Sequence, residues 1–230
     1  IDEDLRKDPA AVKECMDQAD VAFFCLPDDA SRKAAAEAGE DTIIIDASTA
    51  HRTAPGWAYG FPELSPAFRC AVAEGRRIAV PGCHATGCIS LIYPLISAGV
   101  MNPGYPLSAF SLTGYSGGGK KMIREYNDVS RPIDYDAPRE YALGQTHKHL
   151  SEIAAVCGLD SPPVFTPIVG PFFAGMDVMV PLFPKLLSGH PAKNEIREIY
   201  RRQYAGTPFV SVYPDDSENY ITANEKAGED

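Results

Sequence analysis

Three short apolar runs in the first third of the chain constrain its fold more than any other feature. They are Val21 to Leu26 (VAFFCL), Thr42 to Ala47 (TIIIDA) and Arg77 to Val80 (RIAV). Continuous apolar runs of this length predict strands that are buried on both faces, as in a parallel sheet. Helical patterns lie before and between the first two runs, so we expect right-handed crossover connections.

The helical segments between these runs carry recognisable start signals. Asp8 stands at an N-cap position before Pro9, which is favoured at the first position of a helix. Asp28 can cap an alanine-rich helix over residues 31–38. Residues 1–82 are therefore predicted to form part of a doubly wound, Rossmann-like α/β domain.

The rest of the chain, residues 83–230, predicts an α+β domain that contains a mixed or antiparallel sheet with helices on one face. The expected helices cover residues 83–100, 121–127, 147–157 and 194–204, and the expected strands cover residues 107–113, 164–169, 176–183 and 208–213. The complete fold class is thus α/β plus α+β, with a parallel-sheet domain followed by a mixed-sheet domain.

Composition excludes several classes of protein. Of 230 residues, 45% are hydrophobic and 23% are charged, which excludes a disordered or fibrous chain. The net charge of −10 argues against a nucleic-acid partner, because nucleic-acid binding requires a basic face. No apolar run approaches the roughly 18 residues that a membrane span needs, so no membrane partner is expected.

The chain has six cysteines but no C-x-x-C pair, so neither a zinc ribbon nor a thioredoxin-like site is supported. We predict buried free thiols, which fit a reducing cytoplasm. The candidate cysteine and histidines described next are more than sixty positions apart, and no metal site is expected.

The segment Pro81 to Gly87 (PGCHATG) is the first candidate site, because a strand ends in Pro-Gly and a long helix begins at Cys83. A thiol there faces unpaired backbone N–H groups and the positive end of the helix dipole, which favour the nucleophilic thiolate. The small Ala85, Thr86 and Gly87 would let a substrate approach closely. From these residues alone, a nucleophile and an inert helix cap are equally good interpretations.

A second candidate site contains His147, His149 and Glu152. His149 and Glu152 are three positions apart, so they can share a helical face. A carboxylate beside an imidazole raises its basicity, as a general acid–base opposite a thiolate requires. Taken alone, the segment is better explained as a solvated helix start. The chain has only five histidines, however, and their concentration here favours a function.

A glycine-rich segment from Ser116 to Lys121 (SGGGKK) lies between a predicted strand and a predicted helix. Its backbone N–H groups, its hydroxyl and the cation of Lys120 could hold a phosphate or carboxylate, although the spacing is not that of a Walker A motif. The alternative is a flexible loop with surface lysines. Arg52, which follows the second apolar run, is a further candidate anion ligand, because parallel sheets bind ligands at the carboxyl ends of their strands.

The three patterns occur in an order that resembles the semialdehyde dehydrogenase family. They are PGCHATG at residues 81–87, SGGGK at residues 116–120, and His147-x-His149-x-x-Glu152. The cysteine pattern is specific to the family. The other two point to its N-acetylglutamyl phosphate branch, in the shorter bacterial form, and the resemblance covers nearly the whole chain.

The resemblance implies an NADPH-dependent reductive dephosphorylation of an acyl phosphate in arginine biosynthesis. Cys83 would form a thioester, His149 with His147 beside it would be the acid–base, and Glu152 would orient the imidazole. The resemblance further implies a homo-oligomer, either a dimer or a tetramer. It assigns anion binding to Arg52, Ser116 and Lys120, and the lining of the cofactor cleft to Leu26, Pro27 and Ser48.

The chain also departs from the family pattern, because it contains no G-x-G-x-x-G fingerprint. We therefore expect the dinucleotide-binding domain, residues 1–82, to be incomplete at its start and the catalytic domain, residues 83–230, at its end. Three alternatives stay open. They are a related enzyme acting on aspartyl phosphate, a cofactor-free hydrolase or acyltransferase using Cys83, His149 and Glu152, and a binding module with an inactive site.

Overall fold

The computed structural model describes residues 4–5, 8–213 and 220–228. The chain divides into two compact units, Ile1–Gly82 and Cys83–Asp230.

The first unit contains a four-stranded sheet in the order β1-β2-β4-β3, in which every neighbouring pair is parallel, as predicted. Its strands are β1 (Val21–Phe24), β2 (Ile43–Asp46), β3 (Ala58–Tyr59) and β4 (Arg77–Ala79), and its helices are α1 (Pro9–Asp17), α2 (Asp28–Glu37) and α3 (Pro66–Glu74). The sequence patterns missed β3, which has only two residues and therefore no periodicity. They also missed α3, although Ser65 before Pro66 is a start signal of the expected kind.

The starts of the first two helices differ in how they are fixed. Asp8 is the N-cap of α1 and accepts the N–H of Ala10 at 2.9 Å, as predicted. The second helix begins at Asp28, three residues earlier than expected. The Asp28 carboxylate accepts the N–H and hydroxyl of Thr49 instead of capping its own helix. It therefore ties the start of α2 to the loop that follows β2.

The prediction that the first apolar run is buried on both faces was wrong. Phe24 packs in the core with Met16 and Ile44, but Phe23 on the opposite face is 72% exposed. The reason is topological: β1 is an edge strand of this sheet, and no element among the described residues covers the face that carries Val21 and Phe23.

The second unit contains a four-stranded mixed sheet in the order β6-β7-β5-β8, as the sequence predicted. Strand β5 pairs parallel with β7 and antiparallel with β8, and β6 pairs antiparallel with β7. The strands are β5 (Ser108–Gly114), β6 (Arg139–Glu140), β7 (Val164–Gly170) and β8 (Met176–Met179), and the helices are α4 (Cys83–Ser97), α5 (Gly119–Asn127), α6 (His149–Cys157) and α7 (Lys193–Gln203).

The strand predicted over residues 208–213 was wrong, because these residues form no strand. Phe209 is 88% exposed there, and none of the sheet strands pairs with the segment. An apolar run becomes a strand only when a neighbouring strand satisfies its backbone groups.

Helix α4 packs against α6, α7 and β8, and a glycine allows its approach to the sheet. A Cβ atom at Gly87 would lie 3.0 Å from Val178 Cβ and closer still to Val178 Cγ2. Ala85 is wholly buried in the same helix. Gly87 therefore serves the packing of the helix on the sheet.

We expect Gly87→Ala to lower the free energy of unfolding by about 1–2 kcal/mol, even though alanine normally favours a helix by about 1 kcal/mol. Urea denaturation measures this. Gly39→Ala is the matched control, because a Cβ there makes only an ordinary contact at 3.7 Å. Val178→Ala should rescue part of the loss in the double variant. An unchanged stability of Gly87→Ala would show that the helix does not pack this closely.

Candidate active site

Cys83 is the first residue of α4 and is exposed to solvent. The two other thiols of the second unit, Cys88 and Cys157, are buried, and burial raises the pKa of each to about 12. Cys88 and Cys157 therefore stay protonated and inert. Cys83 is the accessible thiol of this unit.

All six cysteines are free, but the prediction that they are buried holds only for Cys88 and Cys157. Cys15 and Cys70 are exposed on α1 and α3. Cys25 is also exposed, because it follows the edge strand β1.

His84, the residue after Cys83, is buried. Its Nδ1 atom lies 2.7 Å from Ser111 Oγ, and its Nε2 atom lies 2.7 Å from Tyr141 Oη. Ser111 is wholly buried on β5. Sequence reasoning assigned no role to these three residues, and the only available signal was the position of His84 immediately after Cys83.

The structure brings both predicted histidines to His84. The ring centroids of His84 and His147 are 5.3 Å apart, those of His84 and His149 are 5.6 Å apart, and those of His147 and His149 are 4.7 Å apart. Phe165 packs edge-on against His84 and His147. Three imidazoles thus share one aromatic cluster beside the start of α4.

The hydrogen bonds and burial of the cluster define its protonation. Burial lowers the pKa of His84 to about 4, with a smaller contribution from the charge of His147. Burial and the neighbouring Lys148 also lower the pKa of His147. His147 Nδ1 accepts the backbone N–H of His149 at 3.2 Å. Neutral His147 therefore carries its proton on Nε2 and has no lone pair left for a second proton.

Tyr141 joins the cluster through His84, and Glu152 lies on the same helix as His149. Burial raises the pKa of Tyr141 to about 12, and the charge of Cys83 adds to this effect, so the phenol is protonated at neutral pH. Glu152 is only 2% exposed and lies three positions after His149 on α6, on the same helical face, as the spacing predicted. A carboxylate so buried requires polar partners.

The lowered pKa of His84 makes stability depend on pH. The unfolded chain binds a proton at His84 near pH 6.5, whereas the folded chain binds it only near pH 4. The contribution of neutral His84 to the free energy of unfolding is complete above about pH 6.5. It is lost as the pH falls towards 4, at a cost of about 3 kcal/mol. We expect urea denaturation to show this loss in the wild type and a smaller one in His84→Gln. Equal pH profiles would contradict it.

The glycine-rich segment is more ordered than the sequence predicted. Residues Tyr115–Gly118 form a 3-10 turn that runs into α5. The backbone N–H groups of Gly114, Tyr115 and Ser116 donate to the carbonyls of residues 175, 172 and 173. The expectation of free N–H groups over residues 116–121 was therefore wrong for Ser116, because the sequence does not reveal that residues 172–175 lie alongside. Ser116 is half-buried and Lys120 is exposed.

An aromatic stack holds this segment in place. The rings of Tyr115 and Tyr126 are parallel at 4.4 Å, and Tyr135 packs edge-on against Tyr126 at 4.9 Å. The Arg139 guanidinium lies 3.7 Å from the Tyr135 ring centroid and donates to Tyr126 Oη at 3.0 Å. The positions of Ser116 and Lys120 are thus supported by contacts that link α5 to β6.

The candidates in the first unit lie at the carboxyl edge of its sheet. Leu26 and Pro27 follow β1 and are exposed, and Ser48 follows β2 and is buried. Because β1 and β2 are parallel neighbours, their carboxyl ends meet at the same edge. The guanidinium of Arg52 donates to Val80 O at 2.9 Å and to Ala47 O at 3.2 Å, and so links the loops after β2 and β4.

A buried polar network, which the sequence did not predict, fixes the loop after β2. The Asp46 carboxylate accepts the N–H and the hydroxyl of Ser48 at 2.9 and 2.7 Å and lies 2.6 Å from His51 Nδ1. Burial raises the pKa of Asp46, but the hydrogen bonds from His51 and Ser48 outweigh it and lower the pKa overall. His51 also stacks on Trp57.

Across the described parts of the chain, no group of three or more histidine, cysteine, aspartate or glutamate side chains is placed to hold a metal ion. The helices of the described residues are also too short or too polar to cross a membrane.

The fold and the site together define a class of protein. The first unit has a parallel sheet whose strand ends suit a nucleotide. The second unit has a mixed sheet and an accessible thiol at the start of a helix. His84, the residue after this thiol, contacts two further histidines and a phenol. These features define a two-unit α/β protein with a candidate catalytic cysteine.

Comparisons with known proteins specify the class. Residues 2–69 match the model of the semialdehyde dehydrogenase NAD binding domain, and residues 83–228 match that of the semialdehyde dehydrogenase dimerisation domain. Curated relatives from Brucella ovis and Brucella canis, each named N-acetyl-gamma-glutamyl-phosphate reductase, are 44% identical over 219 residues. The match covers 92% of this chain and 70% of each relative. The chain belongs to the semialdehyde dehydrogenase family.

Solved structures show the same fold at low identity. Aspartate semialdehyde dehydrogenase II from Vibrio cholerae is 17% identical, with a TM-score of 0.58 over 88% of this chain and 67% of that one. Aspartate semialdehyde dehydrogenase from Francisella tularensis is 12% identical, with a TM-score of 0.61 over 84% of this chain and 65% of that one.

Proposed function

We propose that this protein reduces N-acetyl-L-glutamyl 5-phosphate to N-acetyl-L-glutamate 5-semialdehyde, with NADPH as reductant and release of inorganic phosphate, in arginine biosynthesis. The observation that carries the proposal is the accessible Cys83 beside the imidazole cluster, in a chain 44% identical to reductases named for this substrate. The enzyme is an oxidoreductase of the semialdehyde dehydrogenase family.

The first half-reaction needs only residues of the second unit. His149 takes the proton of the Cys83 thiol, and the thiolate attacks the acyl carbon. The bond between this carbon and the phosphate oxygen then breaks, His149 passes its proton to the departing phosphate, and a thioester remains on Cys83. His149 is the base in this scheme because the Nδ1 lone pair of His147 is occupied by a backbone N–H.

The second half-reaction requires a nucleotide. The carboxyl edge of the first unit's sheet fits this group, because the ends of β1 and β2 meet there and the Asp46 network holds the loop in one conformation. A nicotinamide nucleotide would supply the hydride for reduction of the thioester carbon. The carbon–sulfur bond then breaks, the aldehyde is released, and Cys83 returns as a thiolate. One proton from solvent then restores the Cys83 thiol.

The remaining predicted residues have binding roles in this proposal. Lys120 on α5 is exposed, and Ser116 in the turn before α5 is half-buried. Each of them, like Arg52 in the first unit, is proposed to bind an anionic group. Leu26 and Pro27, with Ser48 on the neighbouring strand end, are proposed to line the nucleotide site. The assignment of NADPH rather than NADH follows from the family resemblance.

We also propose a homo-oligomer, either a dimer or a tetramer. The matched dimerisation model covers the second unit. The outer face of its sheet carries exposed apolar side chains on three neighbouring strands, namely Phe110, Val164 (61% exposed) and Met179 (56% exposed). An apolar patch of this kind is typical of an interface between subunits. Six free thiols favour a cytoplasmic location.

The test is an assay in the reverse direction. The purified protein is mixed with N-acetylglutamate semialdehyde, phosphate and either NADP⁺ or NAD⁺, and the absorbance of reduced nicotinamide is followed. We expect reduction that depends on phosphate and is faster with NADP⁺. Aspartate semialdehyde replaces the substrate in a parallel assay. No reduction with the N-acetylated substrate would overturn the proposal. Phosphate release from the acyl phosphate without nucleotide would point to a hydrolase instead.

A further inference from the structure

Gln145 is an exposed residue between β6 and α6, but its side chain makes two hydrogen bonds to the backbone of a buried strand residue. Its Nε2 atom donates to Phe165 O, and its Oε1 atom accepts the Phe165 N–H, both at 2.8 Å. Phe165 is buried in β7. A side-chain amide offers a donor and an acceptor side by side, so Gln145 pairs with Phe165 as a residue of an antiparallel strand would.

The pairing of the sheet explains why a side chain takes this position. Strand β6 pairs antiparallel with β7, and beyond β6 the Tyr141 N–H still donates to Pro167 O at 3.1 Å. Pro167 has no N–H to return this bond, so the pairing of the two strands is incomplete there. The same register would next place Leu143 opposite Phe165, but Leu143 is 72% exposed. The Gln145 amide occupies that place instead.

Two residues in the left-handed region form the turn that takes the chain away from the sheet. Ala142 has a φ of 51° and Gln145 a φ of 55°, and the Gln145 N–H donates to Ala142 O at 3.1 Å. Residues with a Cβ atom rarely adopt this conformation, and it persists only where surrounding contacts hold it. The two hydrogen bonds to Phe165 are such contacts, so they fix the end of the turn.

The end of this turn leads directly to the imidazole cluster. His147 is two residues further on, and its ring centroid lies 5.3 Å from that of Phe165. The Phe165 ring also packs against His84 at 5.4 Å. His147 Nδ1 in turn accepts the backbone N–H of His149. Gln145 therefore binds the backbone of the residue whose ring contacts two of the three imidazoles.

We propose that Gln145 is a positioning residue for the general base. Its amide fixes the segment that carries His147, and His147 in turn holds the backbone of His149. The inference rests on the proposed function in taking His149 as the base, and Gln145 takes no part in the proton transfer itself. Without the amide, the backbone groups of Phe165 would bind water and the segment could shift, and even a small displacement of a catalytic group slows a reaction.

The test begins with Gln145→Met, which keeps the length of the side chain and removes both hydrogen bonds. We expect kcat in the reverse assay to fall roughly 3- to 10-fold, the size of an ordinary hydrogen bond, while KM for the semialdehyde stays within about twofold. Gln145→Gly should lose as much, because glycine relieves the positive φ but also lacks the amide.

Tyr204→Phe is the matched control for these variants. It also removes a side-chain hydrogen bond to a backbone carbonyl of the second unit, in this case Ser90 O at 2.7 Å. It should keep the kcat of the wild type, because neither residue belongs to the imidazole cluster.

Two further measurements separate positioning from a general loss of stability. In the double variant Gln145→Met/His149→Asn, kcat should fall less than about twofold below that of His149→Asn alone, because Gln145 acts through His149. Long-range ¹H–¹⁵N NMR at pH 7 shows which ring nitrogen of each histidine carries the proton, and the spectrum of His147→Asn assigns the His147 signals. We expect these signals to move from the Nε2–H form towards a mixture in Gln145→Met, while those of His51 in the first unit stay unchanged.

The outcomes are distinguishable from failure of the proposed function. If Gln145→Met keeps its kcat while Cys83→Ser is inactive, this inference is overturned and the proposed function stands. Unchanged His147 signals, or a fully additive loss in the double variant, would overturn the inference as well. If the wild type does not reduce NADP⁺ with the N-acetylated substrate, the proposed function fails, and the NMR signals alone decide whether Gln145 positions His147. If one of the two Gln145 variants does not fold, the other decides.

Discussion

Replacement of Cys83 by serine is expected to reduce NADP⁺-dependent oxidation of N-acetylglutamate semialdehyde by roughly 10⁴-fold or more, to background. A serine hydroxyl is far less ionised than a thiol at neutral pH, and an oxygen ester would not be reduced as a thioester is. The fold should survive, because Cys83 is exposed at the first position of α4. The reverse assay measures this loss, and thermal unfolding checks the fold.

Cys70→Ser is the matched control for this change. Cys70 is also an exposed thiol on a helix, α3, but it lies in the first unit and has no role in the mechanism. Its variant should keep the activity of the wild type, and mass spectrometry should show that a substrate-derived acyl group accumulates on Cys83 alone when nucleotide is withheld. Wild-type activity in Cys83→Ser would exclude the covalent mechanism.

The second large effect is expected at His149. Removal of a general acid–base usually costs about 10²- to 10⁴-fold in kcat. We expect His149→Asn to show this loss and His147→Asn to lose less than roughly tenfold. The difference follows from the hydrogen bond of the His149 backbone N–H to His147 Nδ1, which leaves His147 without a lone pair for a proton. Steady-state kinetics of both variants in the reverse assay measure it.

The variants His147→Asn and His149→Asn form a matched pair. The asparagine side-chain oxygen in His147→Asn can accept the same backbone N–H as the imidazole that it replaces. A loss due only to disturbed packing at the start of α6 should therefore be small at this position. If His147→Asn is the slower variant, the proton-transfer role belongs to His147, and the assignment to His149 is wrong.

The first unit shows which structural features local sequence patterns can predict. Apolar runs and capping residues predicted β1, β2, β4 and α1, and their alternation predicted the parallel sheet. The same patterns gave the wrong burial for Phe23, because exposure of a strand face depends on which elements cover it. Strand β3, with its two residues, exists only through its pairing with β4.

The candidate site also contains some residues that the sequence revealed and others that only the fold revealed. Cys83 and the histidine segment stood out in the sequence, because a thiol at a helix start and an imidazole one turn from a carboxylate have recognisable local chemistry. Ser111 and Tyr141 did not, because a serine in a strand and a tyrosine in a loop are ordinary until the fold places both against His84. The backbone N–H groups of the glycine-rich segment looked available for the same reason, although the carbonyl of residue 173 accepts that of Ser116.

By itself, the sequence determined the two fold types, the order of the motifs and the resemblance to the semialdehyde dehydrogenases. These features follow from periodicity and from residue types at short spacings, which are local properties. Only the tertiary structure decided which thiols are accessible, which nitrogen of His147 carries the proton, and that His84 joins Ser111 to Tyr141. Protonation, burial and hydrogen bonding between distant residues depend on what the rest of the chain brings within about 3 Å, and no local pattern encodes that distance.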